Sequence, residues 1–121
     1  KRDNLSMRNY SLYLKDILEA MDAIEEFAEG LEFEEFRKDD KTSSAVIRKF
    51  EIIGEASKNV SVSIRRKYQQ VPWKEMAGMR DKLIHFYFGV NYELVWQTIK
   101  HRIPQIRPLL KEIIKDTLRH A

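Results

Sequence analysis

No cysteine occurs in the 121 residues, which excludes disulfides and thiolate metal sites. Glycine and proline are nearly as scarce, at four and three. A turn-rich β-sandwich would use many more of both, whereas a helix bundle would not. No uncharged apolar run approaches the roughly 18 residues that span a bilayer, and nothing has the order of a secretory signal. A Gly-rich phosphate loop, a paired-histidine zinc helix and a G-x-S-x-G elbow are all missing. The expectation is a cytoplasmic protein without membrane contact, bound metal or cofactor.

What is present is enough for one core under a solvated surface: 43% hydrophobic and 34% charged residues. That balance argues against intrinsic disorder, and the length fits a single domain. Residues 1–6 read as an N-terminal extension or a cloning remnant, with Met7 as a natural start, and 7–121 as one helical domain. The net charge of +3 hides an asymmetry, because residues 1–60 sum to −4 and residues 61–121 to +7. Either the basic half meets a polyanion, or a helical surface scatters its charge unevenly.

The apolar spacing predicts helices throughout. Tyr10, Leu14, Ile17, Met21, Ile24, Ala28 and Leu31 step by four and three, a single stripe over about six turns. Gly30 is the natural stop. Phe33 to Phe36 fits a short turn, after which Thr42, Ser43 or Ser44 can cap a second long helix striped by Val46, Phe50, Ile53, Ala56 and Val60. Gly54 lies in its middle, where glycine costs about 1 kcal/mol relative to alanine, so another helix should cross there. Ile64 to Tyr68 fits one more turn.

Pro72 suits the first turn of a third helix, buried through Met76, Met79, Leu83 and Phe86 and ended by Gly89. Asn91 can cap the last helix, which Pro104 and Pro108 must kink or interrupt. No segment alternates with period two. The predicted fold is all-α, an antiparallel bundle of four to five helices.

Of the three histidines, His101 reads as a solvated surface residue and His120 as part of the tail. His85 stands apart in Arg80-Asp81-Lys82-Leu83-Ile84-His85-Phe86-Tyr87. On a continuous helix Asp81 would lie beside His85, orienting the imidazole and favouring its charged form. Arg80 and Tyr87, seven apart, would share a face. Arg80 borders the apolar stripe, so it should meet an acid such as Glu55 or await an anionic ligand. Spacing alone leaves two readings open: a site, or a helix-end histidine paired to Asp81 with Arg80 in a salt bridge and Tyr87 in the core. Lys82 suits an RNA contact or plain solvation, and Trp73 and Trp96 suit packing.

The string Arg-x4-His-x-Tyr, formed by Arg80, His85 and Tyr87, resembles the signature of the HepT toxins of the HEPN superfamily. Tyr13-Leu14-Lys15-Asp16-Ile17-Leu18, Ile53-Gly54-Glu55-Ala56, Val71-Pro72-Trp73, Met79-Arg80-Asp81-Lys82, Tyr87-Phe88-Gly89-Val90 and the Trp96 region resemble that family in the same order. The likeness covers roughly residues 7–115. It implies a HEPN-like bundle that forms a homodimer with two motif copies in one cleft. The implied activity is a metal-independent endoribonuclease, the toxin of a type VII-like HEPN/MNT toxin–antitoxin pair. The implied partner is an MNT-type nucleotidyltransferase antitoxin that silences it by AMPylation (nucleotidylation) of Tyr87. The implied catalytic residues are Arg80 and His85, supported by Asp81 and Glu55. The alternative is a non-catalytic HEPN subunit that docks on a nucleotidyltransferase and presents nucleotide or substrate.

The residue types suit the chemistry independently. Cleaving RNA without a metal needs a base for the 2′-hydroxyl proton, an acid for the leaving oxygen and positive charge on the phosphate. Histidine titrates near neutrality and serves as either base or acid. Arginine supplies a bidentate cation of constant charge. Each chain offers one such histidine, so two copies of His85 across a dimer would divide the roles.

Overall fold

The computed structural model describes the backbone of residues 2–85 and 89–119 and the side chains of 10–84 and 89–119. Eight α-helices and one two-stranded ladder lie among the described residues: α1 (Arg2–Ala28), α2 (Phe33–Lys38), α3 (Asp40–Lys58), α4 (Val62–Lys67), α5 (Trp73–Ala77), α6 (Met79–Leu83), β1 (Ile84–His85), β2 (Gly89–Val90), α7 (Tyr92–Gln97) and α8 (Ile103–Arg119). A π-helical turn, Thr98–Arg102, joins α7 to α8. The chain is mostly helical, and its long members α1, α3 and α8 enclose one core.

The stripes do what their spacing demands. Tyr10, Leu14, Ile17, Met21, Ile24 and Ala28 are buried along α1. They face Val46, Phe50 and Ile53 of α3 and Ile103, Ile106, Leu110 and Ile113 of α8, all buried as well. Each large apolar side chain withdrawn from water contributes about 1.5–3 kcal/mol. Gly30, with φ of +77°, ends the first helix region in a conformation that costs glycine nothing.

Helix ends follow local hydrogen bonding more than the serine and threonine placement suggested. The cap of α3 is Asp39, whose carboxylate accepts from the Thr42 backbone N–H at 3.0 Å and from its hydroxyl at 2.7 Å. A carboxylate serves there because the helix N-terminus favours negative charge. The same bonds hold the Asp39 pKa below its ordinary value. Asn91 caps α7 as expected, accepting from Leu94 N at 3.1 Å. Pro72 sits one step earlier than a first-turn position, as the cap residue of α5.

Two proline expectations resolve differently. Ile103 N donates to Thr98 O, closing a wide turn immediately before Pro104. A proline ring clashes with the carbonyl four residues back, here Lys100, and a π-turn opens room there. Pro108 lies inside α8, which continues through it.

Gly54 is in close approach, as its mid-helix position required. A Cβ built on it would sit 3.3 Å from the carbonyl oxygen of Ala77 and 3.6 Å from that of Met76. The neighbour is therefore the backbone of α5, which cannot swing aside as a side chain would.

The largest departure from expectation is the third helix. It is not continuous: Gly78 divides it into α5 and α6, and helix ends at Leu83. Ile84 is already extended at φ −123° and ψ 121°. Ile84 then pairs with Val90 and His85 with Gly89 in an antiparallel hairpin, closed below by Asn91 N donating to Leu83 O at 2.8 Å. The run from Ile84 to Phe88 is β-branched and aromatic, which favours extended backbone once tertiary contacts permit it. Gly89 opens β2 with φ of +74°, a conformation that glycine adopts without strain.

Replacing Gly54 with valine should destabilise the fold by about 1–3 kcal/mol through overpacking against α5. Urea unfolding of Gly54→Val would measure this, and an unchanged midpoint would contradict the close approach.

Candidate active site

The segment from Met79 to Val90 carries the candidate residues, and its two halves have different backbone geometry. Arg80 and Asp81 ride on α6 with their side chains in water, 51% and 76% exposed. Their charged groups lie 3.6 Å apart. An exposed pair of that geometry is worth little to stability, at most about 1 kcal/mol. Arg80 is thus not a buried cation in need of a neutralising partner. Glu55 does not provide one: its side chain is exposed on α3, and its carbonyl accepts from Asn59 Nδ2 at 2.9 Å. The expected Arg80–Glu55 contact is replaced by Arg80–Asp81.

The helical relation expected between Asp81 and His85 does not exist. His85 belongs to β1, where residues four apart are not neighbours on one face as they are on a helix. Asp81 faces Arg80 instead. The His85 side chain, Tyr87 and Phe86 lie outside the described residues, so the site is defined by Arg80 on α6 and by the backbone that sets out from it. His101 is solvent-exposed, as its setting suggested, while His120 falls outside the described residues.

Both tryptophans are packing elements. Trp73 is buried and donates its indole N–H to the carbonyl of Tyr68 at 3.0 Å. Trp96 is half-buried against Phe36 at a 5.2 Å ring separation, with Lys100 Nζ 4.6 Å from its centroid.

Sequence reasoning missed how the basic half uses its charge. Arg107 reaches α1, meeting Asp22 at 2.7 Å and Glu25 at 2.9 Å. Arg102 forms a two-pronged pair with Glu75, Nε and Nη2 each 2.8 Å from a carboxylate oxygen, which pushes the guanidinium pKa up. Part of the positive excess is therefore internal glue. Lys82 and His101 remain exposed, and among the described residues neither is held by an ion pair. No three His, Asp or Glu side chains gather as a metal site would require among the described residues, and no helix there is long and apolar enough to cross a membrane.

A family model described as ribonuclease HepT-like matches residues 17–113. A chain of Methanocaldococcus jannaschii named as a candidate RNase is 52% identical over 104 residues, 86% of this chain and 86% of that one. A chain of Thermococcus cleftensis named as a probable ribonuclease HepT is 49% identical over 108 residues, covering 89% and 98%. One from Caldanaerobacter subterraneus subsp. tengcongensis, also named as a candidate RNase, is 50% identical over 103 residues, covering 85% and 92%. No solved structure matches the chain.

Because Arg80 has no buried contact to lose, Arg80→Ala should leave unfolding free energy within about 0.5 kcal/mol of the parent. A thermal or urea titration checks this, and a large loss would make Arg80 a structural residue.

Proposed function

The chain belongs to the HepT-like ribonuclease family, and from that premise we propose that it is a metal-independent endoribonuclease acting as a homodimer. The observation that supports this most directly is Arg80. Its guanidinium is half open to solvent and unspent on the core, and it stands at the head of the segment that leads into His85. A cation so placed can meet a phosphate without first breaking a buried contact.

The reaction follows from the residue types. One His85 takes the proton of a ribose 2′-hydroxyl, and that oxygen attacks the adjacent phosphorus. The bond from phosphorus to the 5′-oxygen breaks as the partner subunit's His85 delivers a proton to the leaving oxygen. The products are a 2′,3′-cyclic phosphate and a free 5′-hydroxyl. Arg80 holds the non-bridging oxygens as charge accumulates on them. Asp81, 3.6 Å from Arg80, restrains the guanidinium from the exposed side. Glu55, exposed on α3, has no part in this geometry.

The regulatory half of the proposal is that an MNT-type nucleotidyltransferase antitoxin attaches AMP to Tyr87. A free phenol has a pKa near 10 and attacks poorly, so the partner enzyme must supply the base. The adduct would add bulk and negative charge close in sequence to His85 and repel an RNA phosphate.

Purified protein should degrade RNA in EDTA, and His85→Ala should lower kcat by about 10²–10⁴-fold, the span of general acid–base catalysis. Partner binding without any RNA loss would favour a non-catalytic subunit. Mixing His85→Ala with Arg80→Ala chains should not restore full activity if the two copies share one composite site. Full recovery would overturn the need for two His85 copies in one site. Co-expression with the nucleotidyltransferase should add AMP to Tyr87 by mass spectrometry, and an unmodified Tyr87 would end the regulatory proposal.

A further inference from the structure

A cavity of about 220 Å³ is bounded by α6 on one side and by α7 and the π-turn on the other. Ligand pockets for drug-sized molecules begin at about 300 Å³, so this one suits a smaller group. Its floor is apolar, made by Met79, Leu83 and Leu94. One wall is the Glu75–Arg102 pair, rigid through its two 2.8 Å hydrogen bonds. The Thr98 hydroxyl is spent on the Leu94 carbonyl at 2.7 Å, which fixes the α7 side. At the exposed rim stand Lys82, His101 and the amide of Gln97.

We propose that this cavity is a nucleotide subsite for single-stranded RNA, taking one base on its apolar floor with an adjoining phosphate on Lys82 and His101. A nucleotide matches both features at once: a flat apolar body of single-base size, and an anion attached to it. RNA recognition works on unstacked bases held in such places, while phosphate contacts fix their position. Gln97 offers a donor and an acceptor to a base edge. The π-turn contributes His101 and Arg102 to this cavity, which gives that irregular turn a use beyond accommodating Pro104.

The inference rests on the ribonuclease reading, and its readout is chosen to be separate from it. The ¹⁵N-labelled His85→Ala chain is titrated with the four nucleoside 5′-monophosphates and with homopolymeric tetraribonucleotides. Amides of Leu83, Leu94 and Gln97 should shift, with one base preferred, and Leu94→Trp should abolish the shifts by filling the cavity. In the active chain, Lys82→Ala combined with His101→Ala should raise KM for RNA by about tenfold with kcat little changed, as expected when phosphate binding alone is weakened. Shifts without any cleavage by the parent protein would sink the ribonuclease reading and keep the subsite. Cleavage with no shift at these amides, or with KM unmoved in the double variant, would overturn the subsite. So would shifts of the same amides that follow protein concentration without nucleotide, which would assign the cavity to a second copy of the chain.

Discussion

The backbone of Met76 and Ala77 lies against the bare Cα of Gly54, and that contact sets how closely α5, and α6 after it, pack on α3. A side chain on α3 at this point would push α5 outward and carry α6 and the hairpin with it. Burial of Met76, Met79 and Leu83 then holds the segment in place once the approach is permitted. The site is thus a short, broken stretch of chain braced on the longest-packed pair of helices, α1 and α3. Such bracing suits chemistry, because an exposed guanidinium is useful only when its backbone does not drift.

What the sequence made legible was burial along regular elements. The stripes on α1, α3 and α8 are periodic over many turns, so each misplaced residue would expose several apolar groups, and the pattern admits one answer. The Gly54 crossing was legible for a related reason: a glycine that weakens a helix must be repaid by something adjacent. The hairpin was not legible. Met76, Met79, Leu83 and Phe86 step like a helix, and that spacing masked the extended preference of Ile84 through Phe88. Two residues per strand are too few for period-two alternation to register. The cap at Asp39 was missed because three hydroxyl residues close by satisfied the same rule, and a carboxylate at the helix start does it with charge as well.

Charge was legible only as a total. The basic second half suggested a polyanion partner, and part of that charge instead ties α8 to the acidic flank of α1 through Arg107, Asp22 and Glu25. Pairing of this kind involves residues some eighty positions apart, which no local pattern reveals. Subtracting the internally paired Arg102 and Arg107 still leaves cations spread over α4, α5, α6, the π-turn and α8.

The break in the third helix alters the meaning of the Arg-x4-His spacing itself. On a continuous helix each residue turns by about 100°, so positions five apart would splay by about 140° and could not serve one phosphate from one chain. Leaving the helix at Ile84 removes that constraint, because a strand advances the chain by about 3.3 Å per residue, with side chains alternating across it. The backbone at His85 is then fixed by the hairpin register, Ile84 with Val90 and His85 with Gly89. A slip of one residue would change the face that each ladder position takes. Gly89, in its left-handed conformation, and the Asn91–Leu83 bond below the ladder hold that register. The glycine and asparagine that looked like simple helix punctuation therefore belong to the site's framework as much as the charged residues do.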